Sequence, residues 1–172
     1  VLTSTGAGSP PAFETAAGAT GMDDVSDVAR ATSGLLFNAD TAAANTLDDY
    51  EEGTWTPTCA TGTLTAGRPQ YTKIGRVVTV NGFVYSFSDN STAATVTIGG
   101  LPFTSDGYSL GTMTGKGIPA GEGWATENDD STNMVFISQD TSSSYDYLLH
   151  SELQTSGDNN TLIFFSLTYF ST

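Results

Sequence analysis

The sequence is short of several residue types, and each shortage excludes a class of protein. Only one cysteine, Cys59, and one histidine, His150, occur in its 172 residues. An intrachain disulfide is therefore impossible, and no Cys/His cluster has the spacing of zinc ligands. No apolar run approaches the roughly 20 residues that cross a bilayer. We therefore expect no structural metal, no cofactor and no membrane insertion.

Basic residues are also scarce. Five Lys and Arg stand against nineteen Asp and Glu, which gives a formal charge of −14. A surface this acidic repels a phosphate backbone and offers few cations to replace its counterions. We therefore expect no nucleic-acid partner.

The three clustered cations, Arg68, Lys73 and Arg76, lie within nine residues of one another. One interpretation is a site for an anion. The other, favoured by the excess of acids, is that each cation pairs with a carboxylate from a neighbouring strand or a neighbouring chain.

The sequence contains no pattern that predicts catalysis. It has no G-x-S-x-G motif, no second histidine and no nucleophile with a base beside it. The four carboxylates between Asp48 and Glu52 could hold a cation or act as an acid/base pair, but they lack the D-x-[DN]-x-[DN]-G spacing of a calcium loop. There is also no internal repeat of the kind on which glycan-cleaving enzymes of virions are usually built. We predict a non-enzyme with no catalytic and no metal-binding residues.

Gly, Ser, Thr and alternating apolar residues are plentiful, and they divide the chain into three parts. Residues 1–20 are rich in Gly, Ser and Pro and predict an extended linker. Within residues 21–46, apolar residues of Met22–Ala29 follow helical spacing, and a helix this short is stable only when packed against other elements. We expect residues 21–46 to be a short helical oligomerising segment and connector, and residues 47–172 to be a β domain.

Beyond Leu47 the apolar residues recur at every second position, which is the period of β-strands. The polar turn 139–144 predicts a hairpin. The fold class that we predict is all-β, a compact antiparallel β-sandwich of jelly-roll type preceded by an extended segment and a short helix. The predicted strands are Val77–Phe87, Ala94–Ile98, Met134–Ile137, Tyr145–His150 and Leu162–Phe170.

The last predicted strand is apolar on both faces, with Leu162, Phe164 and Phe170 on one of them. A small antiparallel sandwich normally covers one face of each sheet, so the other face needs a partner, and a copy of the chain is the simplest. The alternative is that this strand is central in one monomeric core. The residues that we predict at the interface between copies are Ile163, Phe165, Leu167 and Tyr169.

Three stretches resemble a pattern that recurs in the distal parts of phage tail fibres and related virion proteins. They are GLLFNADTAAANTLDDYEEGTWTPT (Gly34–Thr58), YTKIGRVVTVNG (Tyr71–Gly82) and IGGLPFTS (Ile98–Ser105). The resemblance implies a structural protein on the surface of an extracellular virion, a homotrimer whose distal β domain is carried on a thin stalk. It implies other tail or fibre proteins as partners and no catalytic residues.

The resemblance fades between Gly107 and Asn160, where Gly, Asn and Asp are mixed with aromatic residues. Aromatic rings cover the apolar side of a pyranose, and amides and carboxylates accept hydrogen bonds from its hydroxyls. Variable loops on a rigid scaffold commonly carry recognition. We therefore predict contact with a host-surface glycan or protein, although a core position is the alternative for Trp124. The candidate residues are Trp124, Asn128, Asp129, Tyr145 and Tyr147.

Two other functions stay open at this point. The same fold can serve as a fibre or decoration attached to a capsid instead of a tail. A free-standing carbohydrate-binding lectin would use the same aromatic loops, but the linker-like start and the fibre pattern argue against it.

Overall fold

A computed structural model of the chain describes residues 2–3, 12–13, 49–119, 124–128, 131–139, 144–154 and 160–172. By its internal contacts the chain divides into two units, Val1–Thr46 and Leu47–Thr172. The described part of the first unit is a pair of short antiparallel strands, β1 (Leu2–Thr3) and β2 (Ala12–Phe13). The rest of the predicted linker and the predicted helical segment lie outside the described residues.

The described part of the second unit is almost entirely β structure. All pairings between its strands are antiparallel, which confirms the all-β antiparallel prediction. A short 3₁₀ helix spans His150–Glu152. The strands are β3 (Tyr50–Thr54), β4 (Thr58–Cys59), β5 (Thr65–Ile74), β6 (Val77–Tyr85), β7 (Thr97–Gly99), β8 (Ser109–Lys116), β9 (Trp124–Asn128), β10 (Asn133–Gln139), β11 (Tyr145–Tyr147) and β12 (Leu162–Phe170).

These strands hydrogen-bond into one ten-stranded sheet, where a sandwich would have two. Their order is β3-β5-β6-β12-β8-β9-β10-β7-β4, with β11 paired to β10. The pairing of Ile137 with Tyr147 and of Gln139 with Tyr145 confirms the predicted hairpin of β10 and β11. The sheet curls, so that side chains from β6 and β12 share one core with side chains from β7 and β10.

The core is filled by the inward side chains of alternating strand positions. Val80 of β6, Leu167 of β12, Ile98 of β7 and Phe136 of β10 are fully buried. Fully burying a side chain of this size contributes about 1.5–3 kcal/mol relative to leaving it exposed. The curled sheet is therefore stabilised by its apolar inward face, which forms the core.

Strand β12 directs the predicted interface residues into the core of their own chain. Ile163, Phe165, Leu167 and Tyr169 are at most 5% exposed, and the Phe165 ring meets the Trp55 ring edge-on at 6.1 Å between centroids. Side chains without accessible surface cannot form an interface, so that prediction is wrong. Because both faces of β12 are apolar, the alternation did not show which face is inside.

The described parts of the three stretches that carry the fibre resemblance meet at one corner of this unit. Gly53 lies opposite Tyr71, and a Cβ atom at Gly53 would come within 3.0 Å of the Tyr71 ring. That ring packs edge-on against Phe103 at 5.6 Å, and Thr58 pairs with Gly99. Each contact joins two different stretches. These described residues of the pattern therefore serve the packing of this corner.

Tyr169 makes the fold sensitive to alkaline pH. Its side chain is almost fully buried, its hydroxyl donates to the Phe103 carbonyl oxygen at 3.0 Å, and burial raises its pKa from 10.0 to about 12. The folded protein therefore holds this proton more tightly than the unfolded chain does. The resulting stability is complete below pH 10 and is lost as the pH rises from 10 through 12. A difference of two pH units corresponds to about 3 kcal/mol.

We expect the melting temperature of Tyr169→Phe to fall less steeply than that of the parent as the pH rises from 10 to 12, measured in a pH series. Below pH 10 the variant should be about 1 kcal/mol less stable, because the hydrogen bond to Phe103 is lost. Tyr145→Phe, at an exposed position, serves as the control and should follow the parent. An unchanged alkaline slope in Tyr169→Phe would show that other groups set it.

Candidate functional site

The outward face of the sheet carries a row of large apolar side chains across four neighbouring strands. Tyr50 of β3 stands opposite Ile74 of β5, Ile74 opposite Val77 of β6, and Val77 opposite Phe170 of β12. Their exposed fractions are 58%, 50%, 38% and 57%. We call these four residues the apolar row. Exposed apolar side chains that form a continuous strip are a candidate surface for contact with another protein.

Further along the same strands the outward face becomes polar. Thr79 stands opposite Thr168, with their hydroxyl oxygens 3.0 Å apart. In the next outward row, Asn81 lies between Gln70 on one side and Ser166 on the other. Amide and hydroxyl groups therefore replace the apolar side chains in the middle of this face.

Beyond the polar residues, aromatic side chains return. Phe83 of β6 stands opposite Phe164 of β12, and their ring centroids are 5.3 Å apart. Tyr85 stacks on Phe83 at 5.9 Å. Polar and aromatic residues together line an open groove of about 860 Å³, which includes Arg68 in its wall. We call it the outer groove.

Two of the predicted host-contacting residues lie on the inward face of β9. Trp124 is partly buried against the core, and its indole N–H donates to the Pro119 carbonyl at 3.2 Å. Asn128 is only 2% exposed, and its amide donates to the carbonyl oxygens of Ser131 and Asn133, which ties the end of β9 to the start of β10. The low exposure of Asn128 disfavours direct contact with a ligand, although Asn128 also contributes to the lining of a small surface groove, and Trp124 lies beside the core.

The other predicted residues have different outcomes. Asp129 lies outside the described residues. Tyr145 and Tyr147 are 60% and 45% exposed on β11. Tyr147 lines a small groove of about 230 Å³ together with Tyr108 and Glu127. We call these three tyrosines with Glu127 the tyrosine surface.

Tyr108 was not predicted from the sequence, although it is 75% exposed. It follows the Asp106-Gly107 turn and precedes β8, two residues before Leu110, which is also exposed. An aromatic residue beside a Gly turn was the available signal. Its proximity to β11 could be known only from the order of strands in the sheet.

The structure also brings together Cys59, His150 and Asp89, which the sequence does not link. Cys59 Sγ lies 3.7 Å from His150 Nε2, and His150 Nδ1 lies 3.0 Å from the Asp89 carbonyl oxygen and 3.7 Å from its carboxylate. Cysteine hydrolases place a cysteine nucleophile beside a histidine base, which contacts a third residue that orients it, in the same order.

Two features make this arrangement unsuited to nucleophilic catalysis. Burial raises the pKa of the Cys59 thiol, whereas a reactive cysteine needs a lowered pKa to form its thiolate. His150 is fully buried, so its ring is closed to a substrate. The contacts instead connect β4, the segment after β6 and the 3₁₀ helix.

The acidic cluster near β3 is engaged by neighbouring side chains. Lys73 is buried, forms an ion pair with Asp49, and lies 3.9 Å from a Glu51 oxygen. The Tyr50 hydroxyl donates to Glu52 at 2.9 Å. Asp48 lies outside the described residues. The three described carboxylates therefore have partners of their own.

The clustered cations divide between the two interpretations. Lys73 pairs with Asp49, and Arg76 pairs with Asp106 and donates to the Ser171 carbonyl at 3.0 Å. Arg68 makes no hydrogen bond or ion pair with any residue that the structure describes. Arg68 is thus the cation of this cluster that is open to a ligand.

Comparison with known proteins assigns none of these surfaces. No protein-family model, no curated protein and no solved structure matches the chain. Within the described ranges there is no helix long and apolar enough to cross a membrane. In the same ranges no three His, Cys, Asp or Glu side chains are grouped so as to hold a metal ion. Function is therefore inferred from the geometry of the surfaces themselves.

Proposed function

We propose that the chain is the distal part of a homotrimeric phage tail fibre, a structural protein of the virion that also contacts the host surface. The observation that carries this proposal is the apolar row. Four large side chains stay exposed in register, while the opposite face of the same sheet already forms the core. Packing three copies of the chain together would bury this strip, and burial of apolar surface stabilises an assembly by about 25 cal/mol per Å².

The position of the row supports contact between copies. Tyr50 begins the first strand of the second unit, and Phe170 ends the last. Chains joined to one another upstream of Leu47 would therefore bring the start of β3, and with it the row, close together. In this proposal the curled sheet corresponds to the jelly-roll-like sandwich expected from the sequence, because its two halves pack against each other across one core.

A structural role, without catalysis, is supported by how the described residues use their chemistry. The fibre-like stretches form a packing corner, and the described carboxylates near β3 are paired with Lys73 and Tyr50. The inaccessible His150 and the raised pKa of the Cys59 thiol disfavour a hydrolase. The proposed partners are the chain itself, other tail or fibre proteins and a host-surface glycan or protein.

The proposal is tested by imaging virions labelled with an antibody to this chain and by light scattering of the purified protein. Label at the tips of tail fibres and a mass of three times 17.9 kDa are expected. Label on the capsid would favour a capsid-attached fibre or decoration. A stable monomer that binds glycans and is absent from virions would favour a free-standing lectin.

We expect the tyrosine surface to contribute to host contact through its rings. Tyr145→Ala with Tyr147→Ala in an intact trimer should reduce binding to host cells or their extracted polysaccharide by about 10²-fold or more, because three linked sites multiply a weak contact. The matched variant Tyr145→Phe with Tyr147→Phe keeps the rings and should retain most of the binding. Equal binding by the alanine variant and the parent would remove this surface from the proposal.

A further inference from the structure

We propose that the outer groove binds a saccharide bearing a single carboxylate, such as one sialic- or uronic-acid residue, and that Arg68 pairs with this carboxylate. The groove measures about 860 Å³ and lies on the outward face of β5, β6, β12 and β8. Its lining is separate from the tyrosine surface. The inference therefore goes beyond the proposed function and stands without it.

Arg68 is held at the groove by an unusual backbone conformation. A β-bulge interrupts β5 between Gly67 and Gln70, and Arg68 has a φ of 50°, a region that glycine adopts freely and other residues rarely do. A Cβ atom on Gly82 would lie 3.2 Å from the Arg68 carbonyl oxygen, so the glycine leaves room for the bulge. Bulges re-aim side chains, and strain of this kind concentrates at functional sites.

The charge of the groove favours an anion of low charge. Within the described residues, Lys73 and Arg76 each have a carboxylate partner and Arg68 has none, although the chain has nineteen acids. A guanidinium matches a carboxylate through two parallel hydrogen bonds. The overall charge of −14 repels a densely charged polymer. A ligand with one carboxylate satisfies both conditions.

The rest of the lining fits a sugar ring. Phe164 is 46% exposed, and Phe83 beside it lies over Gly67, where a Cβ atom would overlap the ring. Exposed aromatic rings suit the apolar face of a pyranose. Asn81 and Thr112 add an amide and a hydroxyl to the same groove, which suit the polar edge of a pyranose.

The test is calorimetric titration of the full chain with oligosaccharides that carry one sialic or one glucuronic acid, and with the same compounds after reduction of the carboxylate to an alcohol. We expect the parent to bind the acidic forms at least about tenfold more tightly than the reduced ones. Arg68→Gly should abolish this preference without lowering the melting temperature, because glycine relieves the strained φ. Arg76→Gln removes the same charge outside the groove and should keep the preference.

Three results would overturn the inference. The first is that the parent binds neither acidic compound. The second is that it prefers the acidic forms and that Arg68→Gly leaves this preference intact. The third is that Arg68→Gly and Phe164→Ser, a second substitution in the groove, change the mass of the assembly, because the groove would then be an interface between chains. A monomeric parent that still shows the Arg68-dependent preference would refute the trimeric fibre and keep the groove.

Discussion

Phe165→Asp should leave the second unit, Leu47–Thr172, which we call the β unit, unfolded at 25 °C, whereas Phe164→Asp, one residue earlier on the same strand, should leave it folded. Phe165 is 5% exposed and packs edge-on against Trp55 at 6.1 Å. Removing a buried phenylalanine costs about 3–5 kcal/mol, and an unpaired buried carboxylate adds several more. Whole domains are stable by only about 5–15 kcal/mol, so the sum reaches the stability of the fold.

Phe164→Asp supplies the matched control, because it introduces the same charge on the opposite face of β12. Phe164 is 46% exposed, and we expect its replacement to cost about 1 kcal/mol through the lost contact with the Phe83 ring. Circular dichroism and urea titration measure both variants. A folded Phe165→Asp that is merely monomeric would restore the interface first predicted from the sequence.

The alternation of β12 could be predicted from the sequence, but its orientation could not. Hydrophobic period fixes which residues share a face, and Phe164 and Phe165 were correctly separated. Orientation depends on which face the rest of the sheet covers, and both faces of β12 are apolar. The β10–β11 hairpin was predictable because its turn is local. The placement of β12 between β6 and β8, and of β7 and β4 beyond β10, depends on long-range pairing that no local pattern encodes.

The candidate sites show the same division between local and long-range information. The exposure of Tyr145 and Tyr147 is local information, because both lie on β11, a short strand at an edge of the sheet. The burial of Asn128 was not predicted, because a polar residue on an inward strand position looks like a surface residue until its hydrogen-bond partners are known. The contact between Cys59 and His150 joins residues 91 positions apart. The sequence also could not show that Arg68 lacks a carboxylate partner among the described residues, because this depends on which carboxylates the fold brings near.

Val77→Glu combined with Phe170→Glu should separate the proposed trimer into folded monomers. The two positions stand opposite each other in the apolar row and are 38% and 57% exposed, so the β unit itself loses little when they change. In a trimer the exchange would bring six carboxylates to the contact between chains of an already acidic protein. Like charges at an interface cost several kcal/mol, and each 1.4 kcal/mol weakens association tenfold. We expect the midpoint concentration for dissociation to rise by at least about 10²-fold.

Sedimentation of the full chain over a range of concentrations measures this shift, and the urea midpoint of the β unit shows whether the fold is retained. Thr112→Glu with Ser166→Glu is the control, because these two residues also stand opposite each other on the outward face but belong to the outer groove. We expect this control to stay trimeric. If the control dissociates and the Val77/Phe170 variant does not, the chains meet through the groove, and the apolar row must face a different partner. If neither variant changes the assembly, the contact lies outside this face, and the oligomerising segment 21–46 predicted from the sequence is the next element to test.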